Sequence, residues 1–267
     1  MLLRLPEPYN FELSTGRYRA FGPDRANLWY EGGLHRVVDG REVRIEAAPG
    51  GVDVEPLDES TDPVVRTLLG ASFDLAAFYE FAGADPQLGP LTARLAGLRP
   101  PLAPDPFESL VTSITAQQVS LQAAFAIRNR LIERFGVPAV HAFAFPARDR
   151  LAAAEPDELV AVGFSQRKAE YVVDLARSEL DLDSLARLGD DEVKQRLTAV
   201  RGLGEWTADW FLARHLARPR AWPAGDLALR KAVASFYGDV DVRAFGERFQ
   251  PFQNLAAHYL LTGFLLP

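Results

Sequence analysis

The sequence predicts an α+β protein: a small antiparallel β-sheet with short helices over residues 1–85, then an all-helical body over residues 86–267. Three observations carry this. Residues 1–60 alternate or run apolar between turn residues, the pattern of half-buried strands. From about Phe73 the apolar spacing changes to three and four, the period of amphipathic helices. A length of 267 residues with 48% hydrophobic content supplies core for one large or two modest domains.

In the first region, strands are expected at residues 11–13, 28–30, 34–38, 42–46 and 51–55. Asp39-Gly40 separates two of them and is a strong two-residue hairpin signal. A short helix over residues 63–69 is expected to cover the sheet. His35 lies on a strand pattern, is read as a surface residue, and no metal ligand set is predicted.

Residues 75–81 and 88–98 read as short amphipathic helices, and the proline-rich stretch 99–104 as a stiff linker. Pro106 then opens a helix at its first turn, where a missing N–H is harmless. Phe107, Leu110, Val111 and Ile114 give that helix a core face. Gln117 and Gln118 fall at its end, and the next helix runs from about Ser120 to Phe135. Residues 157–162 and 167–180 form a helix pair around Gly163-Phe164-Ser165. Helices near residues 242–249 and 252–264 close the chain.

The richest stretch is residues 190–233. Val193, Leu197 and Val200 predict one helix, Gly202-Leu203-Gly204 a tight turn, and Trp206, Trp210, Phe211 and Leu212 the apolar side of a second helix. Such a turn aims free N–H groups outward at the second helix's start, a ready anion site. It is also an ordinary helix connection. The loop Trp222-Pro223-Ala224-Gly225 follows and ends on Asp226, at the start of another helix. Asp226 suits an N-cap as well as a catalytic carboxylate.

RLTAVRGLGEWTADWFL followed by WPAGDLALRKAV resembles the helix-hairpin-helix DNA glycosylase superfamily, whose pattern is a hairpin, a Gly/Pro-rich loop and a catalytic aspartate. DPFESLVTSITAQQVSLQAAF, residues 105–125, is similar to that family's upstream helix pair. The resemblance covers nearly the whole chain and is nearest to the 3-methyladenine DNA glycosylase II, or AlkA, type. It implies a monofunctional glycosylase of base excision repair that hydrolyses the N-glycosidic bond of alkylated bases flipped from duplex DNA. Asp226 is implied as the catalytic residue. Trp206, Trp210 and Leu261 are implied at the base, and Gln117, Gln118, Arg201, Gly202, Leu203, Gly204, Thr207 and Arg230 at the DNA, with Gln118 at the wedge position. The resemblance implies no cofactor beyond a monovalent cation at the hairpin, damaged double-stranded DNA as partner, and a monomer.

Two departures bear on the chemistry. Relatives that nick the strand through a Schiff base carry a lysine where this chain has Trp206, and only Lys168, Lys194 and Lys231 exist here, so no lyase activity is expected. The aromatic that AlkA-type relatives offer from the last helix is replaced by Leu261, which leaves the lesion spectrum open.

The formal charge of −7 argues against a general nucleic-acid coat. Within residues 194–231, however, eight basic groups stand against three acidic ones. The absence of cysteine excludes disulfides, iron–sulfur clusters and cysteine-zinc sites. No run of 18 apolar residues exists, and the N-terminus does not resemble a signal peptide, so a cytoplasmic protein is expected. Two alternatives remain open: a glycosylase of the same fold for deaminated or oxidised bases, and a non-catalytic DNA-binding protein that uses Asp226 only as a cap.

Overall fold

The computed structural model describes residues 1–265. Five strands, β1 (Leu2–Arg4), β2 (Leu28–Tyr30), β3 (Gly33–Val38), β4 (Arg41–Ala48) and β5 (Gly51–Glu55), form one antiparallel sheet in the order β1-β5-β4-β3-β2. Asp39 and Gly40 both take positive φ (48° and 74°), the conformation that a two-residue turn between twisted strands demands. Leu34, Val43, Ile45, Val52 and Val54 are fully buried, and α3 (Thr61–Leu68) covers them with Val65 and Leu68.

One local expectation fails here. Residues 11–13 are not a strand but part of α1 (Phe11–Thr15), because the Asn10 side chain caps the Leu13 N–H at 3.0 Å and Phe11 is buried under the sheet. A second short helix, α2 (Arg17–Ala20), follows at once. The edge place is taken by β1, whose Leu3 pairs with Val52.

The body contains α4 (Leu75–Ala82), α5 (Leu88–Arg94), α6 (Pro106–Ala116) and α7 (Leu121–Phe135), then a two-stranded ribbon of β6 (Val137–Pro138) and β7 (Phe143–Ala144). After it come α8 (Arg148–Ala152), α9 (Pro156–Ala161), α10 (Gln166–Arg177), α11 (Asp190–Thr198), α12 (Glu205–Arg214), α13 (Leu227–Tyr237), α14 (Val242–Phe245) and α15 (Gln253–Leu265). Among the described residues no helix is long and apolar enough to cross a membrane.

One apolar core runs through these helices, and it begins at Phe73. The buried residues of the sheet's own core run from Leu3 to Leu69. Phe78 of α4 packs edge-on against Tyr259 of α15, with ring centres 4.9 Å apart, and Tyr79 shares a 2.8 Å hydroxyl hydrogen bond with Tyr259. Tyr259 is fully buried by these contacts.

His35 is also not on the surface. It is 4% exposed, because the face of β3 that carries it is covered by Tyr30 and by His141 of the ribbon. Beside it, four buried charges join the sheet to the body. Arg36 of β3 donates to Glu108 of α6 at 2.7 Å, and Arg128 of α7 donates to the other Glu108 oxygen at 2.6 Å. Arg128 also pairs with Asp24, and Arg36 donates to Asn27 at 2.7 Å. Burial alone would raise the Glu108 pKa, but the Arg36 and Arg128 guanidiniums override it and hold the carboxyl below its usual range. With every charge partnered, the cluster avoids the large penalty of an isolated buried ion.

Glu108→Gln removes one charge and leaves Arg36 with Asn27 alone. It is expected to lower unfolding stability by on the order of 3 kcal/mol in urea denaturation, the range for breaking a buried pair from one side. A change below about 0.5 kcal/mol would show that the cluster is not a joint.

Candidate active site

The α11–α12 turn is shaped by its neighbours. Gly202 has φ +89°, and a Cβ there would sit 2.2 Å from Cγ of Tyr171 on α10, so glycine is required on both counts. Gly204 differs from expectation. Its backbone is extended (φ −101°, ψ −178°) and a Cβ would meet nothing within 4 Å, so the turn itself does not need glycine there. What Gly204 leaves is open space before the first turn of α12. As N-cap it offers no side chain to the N–H groups of that turn, and these have no partner within the helix.

Gln117 ends α6 and reaches across to this turn: its Nε2 donates to the Gly202 carbonyl at 2.9 Å and to Thr207 Oγ1 at 3.4 Å. Gln118 is exposed and held at φ +54°. Val119 and Leu121 beside it are 39% and 44% exposed, an apolar tip that periodicity did not single out.

Asp226 stands opposite. Its Oδ1 accepts the Leu229 N–H at 3.0 Å and so caps α13. Its Oδ2 accepts the indole N–H groups of Trp206 at 2.9 Å and Trp210 at 3.0 Å. The two tryptophans are one turn apart on α12, which is why both can reach one oxygen. The carboxylate is half-buried, so it keeps an open side. The cap role and the carboxylate site are thus filled by the same residue.

The structure places the other expected residues unevenly. Trp210 is 3% exposed, and the Arg214 guanidinium lies 3.7 Å over its ring. Its face is therefore occupied and does not offer a base-stacking wall. Trp206 remains half-buried. Leu203 and Thr207 are buried, so at the turn they present backbone rather than side chain. Arg201 lies over Tyr171 and pairs with Glu170 at 2.8 Å and Asp174 at 3.2 Å, so α10 already engages its charge. Arg230 is exposed near Gly225 and Arg243. Leu261 is buried on α15, one turn from His258.

Three groups tied to Trp210 escaped the sequence reading: Arg214 and His258, which meet its ring, and Arg17, whose charge acts on both of them. Arg214 follows Trp210 by four residues, a spacing that signals contact on a helix. Arg17 comes from α2 and nothing local announces it. His258 is 8% exposed, meets Trp210 edge-on at 5.8 Å and has no partner for Nε2. Burial first, and then the Arg214 and Arg17 charges, push the His258 pKa well down. Arg214 is lowered for like reasons, by burial and Arg17, with Asp226 pulling the other way. Two of the three lysines are engaged by other partners. Lys194 pairs with Asp209 at 2.6 Å, and Lys168 donates to the Thr115 carbonyl at 3.0 Å.

The family description "HhH-GPD superfamily base excision DNA repair protein" matches residues 111–248, which contain the turn, Gln117 and Asp226. The chain belongs to this superfamily. It is 33% identical over 168 residues to a DNA-3-methyladenine glycosylase of Bacillus subtilis, covering 60% of this chain and 55% of that protein. It is 31% identical over 290 residues to a probable bifunctional transcriptional activator/DNA repair enzyme AlkA of Mycobacterium tuberculosis, covering 97% of this chain and 56% of that one. The chain thus spans about half the length of the curated relatives it matches. A solved 3-methyladenine DNA-glycosylase of Archaeoglobus fulgidus superposes with a TM-score of 0.90 at 27% identity, covering 100% of this chain and 99% of that one. The HhH-GPD match covers the middle of the helical body, and the Archaeoglobus likeness extends over the rest of the body and the sheet. The AlkA-type resemblance read from the sequence holds.

Because His258 is buried as the neutral base, the unfolded chain binds a proton that the folded chain refuses. Stability should therefore rise with pH between the depressed folded pKa and the unfolded value of about 6.5. His258→Gln is expected to flatten that slope. The comparison is the melting temperature of both proteins at about pH 5 and pH 7, and parallel slopes would contradict buried neutrality.

Proposed function

We propose that this protein is a monofunctional DNA glycosylase that hydrolyses the N-glycosidic bond of alkylated bases in duplex DNA, with Asp226 as the catalytic carboxylate. The observation that carries the reading is Asp226 Oδ2, aimed by two indole N–H groups beside a hairpin with free backbone donors. Departure of a base leaves positive charge on the sugar, an oxocarbenium-like state. A carboxylate at ~4 Å from that charge is worth ~4 kcal/mol at an effective dielectric of 20, about a thousandfold in rate if realised only in the transition state. The names of the Bacillus and Archaeoglobus relatives support alkylated purines as substrates.

In this reading the α12 N-terminus grips a phosphate through backbone N–H groups. The exposed turn at Gln118, Val119 and Leu121 enters the space of the flipped nucleotide, and the base meets Trp206. Glutamine replaces lost hydrogen bonds better than lost stacking, and its two apolar neighbours supply what it lacks. With Trp206 in the place of a nucleophilic lysine, the product is an intact strand with an abasic site.

A specific observation favours a second reading, a glycosylase of uncharged lesions. Arg214 covers one face of Trp210 and sets positive charge near Asp226, which disfavours a cationic base. Release of 3-methyladenine and of hypoxanthine from the same duplex context separates the two. The alkylation reading expects the cationic base to leave at least tenfold faster, and a preference for hypoxanthine overturns it.

Asp226→Asn tests the catalytic assignment. The amide has one acceptor oxygen for three donors, so a stability loss of about 1–3 kcal/mol is expected along with a fall of at least a hundredfold in base release. Binding to lesion DNA should stay within a few fold, and product strands from the wild type should break only after alkali. Near-normal release by the folded variant would leave Asp226 as a cap alone.

A further inference from the structure

Away from Asp226, at the seam between sheet and body, three side chains converge that the proposed chemistry does not use. His35 of β3 and Glu42 of β4 come from the sheet, and His141 comes from the turn between β6 and β7. Glu42 Oε1 lies 2.7 Å from Nδ1 of His35 and 3.0 Å from Nδ1 of His141. One donor atom from each of the three falls within 4.8 Å of the others.

Each group is held in place by something else. The second Glu42 oxygen, Oε2, accepts the backbone N–H groups of His141 at 2.7 Å and Ala142 at 3.0 Å, so Oε1 is left to face the two rings. The His141 ring stacks on Tyr30, with centres 4.5 Å apart and planes at 26°. The side chains of His35 and Glu42 are only 5% and 8% exposed, while that of His141 is 38% exposed and gives an entry path. Nε2 of His35 has no hydrogen-bond partner, so Glu42 Oε1 draws the ring proton to Nδ1, and a metal ion bound at Nδ1 would displace it to Nε2.

We propose that His35 Nδ1, His141 Nδ1 and Glu42 Oε1 form a binding site for one divalent transition-metal ion of the zinc class. The donor set is two imidazoles and one carboxylate, which suits zinc, nickel or copper rather than magnesium or calcium. Bonds of ~2.0–2.1 Å in a tetrahedral site put neighbouring ligand atoms ~3.3 Å apart. The two separations from Glu42, 2.7 and 3.0 Å, therefore open by a few tenths of an ångström, while the ligand atoms of the two imidazoles, within 4.8 Å of each other, close by up to about 1.5 Å. One coordination position remains on the exposed His141 side, where water can fill it. Two ligands come from the sheet and the third from the ribbon of the body, so the ion would staple the two together. Peptide N–H groups on Oε2 and the Tyr30 ring under His141 set the ligand orientation, as metal sites commonly require.

The site is independent of the glycosylase reading, and its test does not involve DNA. The chain, free of any histidine tag, is stripped with a chelator, desalted and titrated with Zn²⁺ by calorimetry and with Co²⁺ by visible absorption. Only four histidines and no cysteine exist, and His215 and His258 lie elsewhere, so a histidine-dependent signal reports this cluster. One equivalent should bind with a Kd of about a micromolar or tighter, with d–d bands of a low-symmetry Co²⁺ site. His141→Ala, and His141→Gln, which keeps a hydrogen-bonding side chain, should each weaken binding at least tenfold. At a Zn²⁺ concentration a hundredfold above Kd, the wild type should melt about 5 °C higher and the variants should not. Absence of saturable one-to-one binding, or equal affinity in either folded variant, would overturn the site and leave a hydrogen-bonded clamp.

Discussion

The hold that three N–H groups have on Asp226 is the constraint around which the helical body is arranged. A half-buried carboxylate is stable only where donors replace the water it loses. Here one donor is the Leu229 peptide of the helix it caps, and two are indoles from a different helix. Those indoles must stand one turn apart on α12, which fixes the rotation of that helix. The loop that delivers Asp226 is fastened as well. Trp222 donates to the Val242 carbonyl at 2.8 Å, and a Cβ on Gly246 would collide with its ring at 2.5 Å. The acid is thus positioned from both sides, by its loop and by its hydrogen bonds.

Much of this was legible in the sequence, for local reasons. Four of the five sheet strands follow from alternation, and Asp39-Gly40 sets their middle hairpin by the positive φ that both residues tolerate. The cap role of Asp226 was readable at the start of its helix, and the helix starts placed at Pro106 and near Ser120 agree with the caps Asp105 and Ser120 that the structure shows. The hairpin and its following acid were recognisable as a pattern because their spacing is short. The helix at Phe11 was not, since its cap and a single buried ring decide it over too few residues for any period to show.

What escaped the reading depends on residues far apart in the chain. His35 looks solvent-facing on its strand until a ribbon about a hundred residues later covers it. Arg17 acts on Arg214 and His258 from α2, and only tertiary packing brings it there. The face of Trp210 looked free because a helical wheel shows which side a ring is on, not that Arg214 will lie across it. Phe78 belongs to the body core because Tyr259 of α15 returns to meet it. Apart from Arg214, one turn from Trp210 on the same helix, these contacts join residues far apart in the chain, and no period in the sequence encodes those.

The amide of Gln117, bonded to both the Gly202 carbonyl and the Thr207 hydroxyl, joins the exposed turn after α6 to the hairpin. Gly202 is pressed on Tyr171, and α12 runs on from the hairpin to the indoles that hold Asp226. The tip, the turn and the acid therefore behave as the jaws of a caliper with no soft joint between them. A duplex laid across a rigid gauge has to supply the bending itself. Under the proposed function, sites whose stacking is already weakened deform at least cost, so recognition would begin as a test of mechanical compliance before any base reached Trp206.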